Sequence, residues 1–376
     1  MQEILFYKPT IDERELELIK RAISEQNTTI IEEFEDKLRK YFNAKFAVTT
    51  INNAATHHLA LSAMDVKRGD KFICSVNAFP SIAQAIRHFD AEPIFVDIDE
   101  DDFTISPKAL LECLEKNNHK KLKGVFVNHV AGQSAMMDEI NEIAKHYNIA
   151  VLDDANRAVG LTYKGEKLGA NRSLLTCFQI HSQTINPTAA AGFMITNDEN
   201  IAKKAELLRN YALVSKLDKS GNMDYIYDVV DIGLKYDITT INAAFALGQF
   251  EKHLDFIKRR QEIAEIYDNE LKDCPHISTP VKKREHIYNQ YIIKVDKNRD
   301  GFAKELLENG IHTSLHYVPI HLLTYYRNKY DLKVNAYPNA LKNYQQILSL
   351  PIYSALKDDE IAYICQKIKE IAKSRV

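Results

Sequence analysis

Residues 176–198 read TCFQIHSQTINPTAAAGFMITND and hold one imidazole, His181, followed by the hydroxyl and amide side chains of Ser182, Gln183 and Thr184. An imidazole changes charge near neutrality, which suits it to carry a proton in a reaction. The same residue in an Ile-His-Ser run also serves as ordinary structure. No lysine occurs from residue 172 to residue 199, so this stretch offers no amine nucleophile. Just upstream, the apolar run IAVL ends in Asp153 and Asp154. A carboxylate at a strand end commonly caps the next helix. The five cysteines, Cys74, Cys113, Cys177, Cys274 and Cys365, show no CxxC or Cys/His metal spacing. They read as reduced and mostly buried, and no metal is expected.

The elements that must position these groups alternate along the chain. Residues 12–25 and 32–42 place apolar side chains at helical spacing. Strands are predicted at 44–50, KFICS (71–75), 93–99, LKGVFVNHV and IAVLDD, with helices at 54–64, 82–89, SPKALLECLEK and MDEINEIAKHYN between them. Short, nearly all-apolar strands separated by helices predict a mostly parallel sheet sandwiched by helices. The pattern continues with a helix over 199–215, an irregular segment over 217–233 and a long periodic run over 241–273. After that come strand-like 286–295, a helix over 302–310, strand-like 312–318 and a terminal helix from Asp358. The expected organisation is an α/β domain over 1–250 and a smaller α+β domain over 251–376, with the boundary inside the long helical run.

The bulk numbers exclude several classes of function. A net charge of −3 with dispersed basic residues makes no electrostatic case for nucleic acid. The N-terminus lacks the basic and apolar regions of a secretory signal, and no apolar run reaches the roughly 18 to 20 residues of a membrane span. A cytoplasmic protein is expected. Glycine is scarce, at 12 residues, where phosphate cradles usually rely on it.

Five segments in order resemble the PLP-dependent nucleotide-sugar aminotransferases of the DegT/StrS type, which have fold type I. INNAATHHLAL (51–61) is similar to the family's Asn-Ser-Gly-Thr-Ala-Ala-Leu-His phosphate turn, with His58 at its histidine. AFPS (78–81) stands where an aromatic ring covers the cofactor. VLDDANRAVGLTYKGEKLGA (151–170) resembles the Glu-Asp-Ala-Ala-His-Ala-Val-Gly run and its Lys-Gly hairpin. GLKYDITTINAAFALGQFEKH (233–253) and SLHYVPIH (314–321) resemble two further signatures. The resemblance covers essentially the whole chain. It implies PLP or PMP as cofactor, a nucleotide-linked sugar as ligand and a homodimer with shared sites. It also implies Asp154 as partner of the pyridinium nitrogen, Phe79 as ring cover, and His316 and Tyr317 at the sugar pocket.

The departures from that pattern are chemical. The family's Schiff-base lysine falls within residues 177–184, at Ser182, Gln183 or Thr184 depending on alignment, and none is a lysine. The phosphate turn has Asn53-Ala54 for Gly-Thr, and the family's Glu-Gly-Gly has become Ala190-Ala191-Gly192. The motif's serine is replaced by Cys177 or a neighbour, and Arg157 stands where His or Gln lies near the cofactor's 3′-oxygen. Asp237 replaces the Asn that reaches the partner subunit's cofactor phosphate. Two negative groups at ~4 Å repel by roughly 4 kcal/mol at an effective dielectric near 20, so phosphate affinity falls unless Lys235 or Arg157 compensates or the Asp is protonated. Three readings follow. The first is an ordinary aminotransferase using another lysine, Lys167 or Lys235, and it is disfavoured. The second is a PMP-dependent sugar dehydratase with His181 as base. The third is a scaffold or partner subunit that has lost PLP chemistry.

Overall fold

The structure is a computed structural model that describes residues 3–25, 28–181, 189–215 and 226–375, with His181 described by its backbone alone. Helices α1 (Glu13–Glu25) and α2 (Thr29–Phe42) lead into strand β1 (Phe46–Thr50) and helix α3 (Asn53–Ala63). There follow β2 (Lys71–Ser75), α4 (Ser81–His88), β3 (Glu92–Val96), α5 (Pro107–Asn117), β4 (Leu122–Asn128), α6 (Met137–His146) and β5 (Ala150–Asp154). A small hairpin of β6 (Thr162–Tyr163) and β7 (Glu166–Lys167) precedes β8 (Leu175–His181) and β9 (Ala190–Thr196). The central sheet has seven strands in the order β1-β9-β8-β5-β4-β2-β3. All run parallel except β9, which is antiparallel to both neighbours. The expected mostly parallel sheet between helices is therefore present, with β8 and β9 as strands that the apolar runs had not marked.

Side chains alternate across this sheet and feed two cores. Val125, Val127, Phe178 and Phe193 enter one buried cluster, while Phe126, Leu152, Cys177 and Met194 enter the other. Both faces being covered explains why β4 reads as a continuous apolar run. Each fully buried side chain of this size contributes roughly 1.5–3 kcal/mol. A third cluster joins Ile4, Tyr267, Tyr291, Phe302, Ile361 and Ile368 around an antiparallel sheet of Ile277–Ser278, Tyr291–Val295 and Ile347–Leu350.

Several expectations about elements need correction. The helix expected over 199–215 is α7 (Glu199–Leu208) and stops there, because Tyr211 and Ala212 take left-handed backbone angles, φ 56° and 52°. Residues Leu213–Ser215 pair instead with Tyr227–Val229. The long run over 241–273 is two helices, α8 (Thr240–Glu251) and α9 (His253–Leu271), broken at Lys252. Lys252 is held by its side chain on the fully buried Glu15, at 2.6 Å. Segment 312–318 is not a strand; it makes one isolated bridge, Ser314 to Ser349. No helix among the described residues is long and apolar enough to cross a membrane.

Candidate functional site

The carboxyl ends of parallel strands are where such sheets open a crevice. Here β4 and β5 end at a cavity of about 760 Å³ whose wall includes Asn53, Ala54, Phe79, Asp154, Arg157 and Gln179, with Ser314, His316 and Tyr317 on the opposite side. Asp154 is the last residue of β5, paired in register with Asn128 of β4 and Cys177 of β8. Strand alternation sends its side chain to the cavity, where it stays 12% exposed, and sends Asp153 to the dry side, fully buried.

Each carboxylate meets a histidine. Ala135 donates its N–H to Nδ1 of His129 at 3.2 Å, so Nε2 carries the proton, and it faces Asp153 at 3.7 Å. Thr176 also donates its hydroxyl to Asp153 at 3.4 Å. The Asn53 amide nitrogen lies 3.3 Å from Nδ1 and 3.4 Å from Nε2 of His57, and that Nε2 is also 3.4 Å from Asp154 Oδ1. The N–H of Asn156 reaches the same oxygen at 3.4 Å. Asp154 is thus oriented from below and to the side, leaving its cavity edge for a ligand.

The N-terminus of α3 forms another wall. Asn52 caps it, its side chain accepting from the N–H of Ala55 at 2.9 Å, and Thr56 N–H bonds the Asn52 carbonyl. Among the described residues no protein acceptor takes the N–H groups of Asn53 and Ala54, so both remain for an anion at the positive end of the helix. Gly192 of β9 lets this turn approach. A Cβ there would stand 2.3 Å from Thr56 Oγ1 and 2.4 Å from the Asn52 carbonyl oxygen.

Across the cavity, Phe79 is 63% exposed with its ring 6.2 Å from that of Tyr317. His316 is buried, stacks on Phe6 and shares a 2.8 Å hydrogen bond with Ser349. Burial, and then the charge of Arg157, push its pKa down to about 3. His316 is therefore a neutral wall residue at physiological pH.

Other expected residues lie elsewhere. Cys177 is fully buried in the core beneath Asp154, and burial together with both aspartates raises its pKa far above the usual thiol range. It is absent from the cavity wall, a correction to its expected cofactor contact. His58 faces away, stacked 4.6 Å from Phe89, with burial pushing it down to about 4. Helical spacing puts His57, four residues after Asn53, on the side facing the sheet. Lys235 bonds Asp237 at 2.8 Å and Asn210 at 3.0 Å, so the pair neutralises itself and neither residue lines the cavity of its own chain. Lys167 bonds the carbonyl of Tyr41 at 2.8 Å, outside the cavity. Ser182, Gln183 and Thr184 lie outside the described residues, as does the side chain of His181, whose backbone pairs with Ala190. Sequence reasoning missed His57, Asn128, His129, Asn156, Gln179, Asn242 and Ser314. For Asn128 and His129 the available signal was their place at the polar end of an apolar strand. No group of three or more metal-ligating side chains occurs among the described residues.

The donor set fits a pyridoxamine-type group held without a covalent bond. Asp154 would meet the ring nitrogen, Phe79 would approach the ring, and the N–H groups of Asn53 and Ala54 would meet the phosphate. The described wall contains no lysine. Comparison with known proteins agrees on the scaffold. The chain is 32% identical to the uncharacterized protein MJ1066 of Methanocaldococcus jannaschii over 97% of this chain and 96% of that one. It is 31% identical to the spore coat polysaccharide biosynthesis protein SpsC of Bacillus subtilis, over 91% and 90% of the two. The putative sugar aminotransferase Spr1654 of Streptococcus pneumoniae, in its apo form, superposes with a TM-score of 0.90 at 24% identity, over 99% of this chain and 98% of that one. Spr1654 has also been solved in PMP and PLP forms. A family profile matches residues 9–369, and with it the chain is placed as a member of the DegT/DnrJ/EryC1/StrS aminotransferase family.

Proposed function

We propose that this protein binds a nucleotide-linked keto or amino sugar in the cytoplasm, in the synthesis of a surface polysaccharide or amino sugar. Any pyridoxal-derived cofactor is held without a lysine bond. One observation carries this reading: the cavity keeps Asp154 and the open N–H groups of Asn53 and Ala54, while its described wall has no lysine. A bound pyridine ring supplies an electron sink for bonds next to a carbonyl carbon. Asp154 holds the proton on the ring nitrogen, His57 and Asn156 keep that carboxylate oriented, and Phe79 with Tyr317 keeps water off the ring. His316, neutral, borders the sugar.

Retention of Asp154 favours one version of this chemistry, a PMP-dependent sugar dehydratase in which His181 carries the substrate proton as the hydroxyl leaves. His181→Ala then abolishes turnover of a 4-keto sugar nucleotide, and full activity of that variant refutes the assignment. Ala54, lacking the family's hydroxyl, favours the competing version, a non-catalytic partner subunit. In that case Asp154→Asn leaves ligand binding unchanged.

A second copy of the chain completes the site in this reading. Tyr227, Val229, Val230 and Ile232 are between 53% and 88% exposed on one segment, an apolar surface that a partner would cover. The Lys235–Asp237 pair lies on the same segment. Titration of the purified protein with PMP and with a nucleotide sugar in a calorimeter tests the proposal. Saturable binding of the nucleotide sugar supports it, and failure to bind any sugar nucleotide refutes it.

A further inference from the structure

Beside the main cavity lies a recess of about 100 Å³ that shares Asn156, Arg157 and Gln179 with it. Its inner wall adds Tyr7, His253 and Arg260. Two guanidinium groups therefore line one small space, and among the described residues no carboxylate pairs with either. Arg157 Nη1 is buried without a hydrogen-bond partner. Arg260 spends its Nε–H on the carbonyl of Ile287 at 3.2 Å, and its terminal nitrogens have no acceptor among the described residues. His253 adds no negative charge. Its Nδ1–H donates to the Phe250 carbonyl at 2.5 Å, and its Nε2 is buried without a partner. Burial lowers the pKa of Arg260 to about 10. Tyr7, raised by burial, feels both arginines. Uncompensated positive charge in a confined polar recess costs free energy until an anion fills it.

We propose that this recess is an anion subsite that takes a carboxylate carried by the molecule in the main cavity, gripped between Arg157 and Arg260. This rests on the cavity being a sugar site and goes further, because it assigns an acidic ligand. The planar guanidinium matches a carboxylate with two parallel hydrogen bonds, and the recess has room for a group of that size. The carboxylate is that of an acidic sugar.

Calorimetric titration of the full-length protein with D-glucuronate, D-glucose, L-glutamate and inorganic phosphate tests this. Binding of glucuronate about tenfold or more above both glucose and glutamate supports the acidic sugar, and a preference for glutamate overturns it. Arg157→Gln and Arg260→Gln each weaken glucuronate by about ten- to a hundredfold, and Arg260→Gln, outside the main cavity, leaves glucose unchanged. Arg260→Lys keeps the charge without the planar fork and gives an intermediate loss, which guards against a misfolded glutamine variant. Equal binding of glucuronate, glutamate and glucose overturns the subsite, as does phosphate binding that survives both glutamine substitutions. A nucleotide sugar that still binds in those circumstances leaves the proposed function standing, so the two failures are told apart.

Discussion

Asp154→Asn removes one charge and little else from the cavity. The isosteric amide keeps an oxygen for the Asn156 N–H and a contact for His57, so the strand end and its neighbours stay in place. What is lost is a charge-assisted hydrogen bond to a protonated ring nitrogen, and such bonds contribute roughly 1.5–3 kcal/mol. Coulomb's law sets a ceiling, since opposite unit charges at ~4 Å attract by roughly 4 kcal/mol at an effective dielectric of 20. The 12% exposure of the side chain leaves some solvent screening and favours the lower figure. PMP therefore binds the variant about ten- to a hundredfold more weakly, at about 1.4 kcal/mol per factor of ten. Calorimetric titration of both proteins with PMP measures this, with thermal unfolding of each as a check on folding. An unchanged dissociation constant in a folded variant refutes the placement of Asp154 against a pyridine ring.

Gly192→Ala forces a Cβ to within 2.4 Å of the Asn52 carbonyl oxygen, which is backbone and cannot swing aside. A loss of about 1–3 kcal/mol in urea unfolding is expected, and an unchanged midpoint would show that β9 and α3 are not in this contact. Stability also depends on acid. Burial pushes His286 and His316 down to about 3 from an unfolded value near 6.5, so the unfolded chain binds protons that the native chain refuses. The stabilisation is complete above pH ~6.5 and is lost as pH falls toward about 3, with on the order of 2 kcal/mol lost per histidine by pH ~5. Unfolding midpoints that stay level from pH ~7 to ~5 contradict that burial.

Much of the frame was legible because burial on both faces leaves a plain mark. KFICS is a strand at both ends as read, and the terminal helix begins at Asp358. Asp154 was found through the resemblance of residues 151–170 to the family's run, and its place at the end of β5 is what brings it to the cavity. The histidine beside it was not singled out. His58 matches the family pattern, but the i, i+4 spacing from Asn53 brings His57 to the carboxylate. Strands β8 and β9 were hidden because β8 mixes Thr, Gln and His with apolar residues and β9 opens on two alanines. The ends of α7 and α8 were overrun because apolar periodicity continues past them. Left-handed backbone at Tyr211 and Ala212 stops one, and the Glu15–Lys252 contact sits at the break after the other. The recess between Arg157 and Arg260 could not be read at all, since it joins residues about a hundred positions apart.

Incubation of the protein with PLP, reduction with borohydride and mapping of the labelled peptides asks whether any lysine serves this cavity. Removal of the PLP by dialysis, with no single lysine labelled to one equivalent per chain, is the result expected from a wall without an amine. One equivalent fixed to one lysine would show that an ordinary aminotransferase anchor exists and that the proposed non-covalent site is wrong.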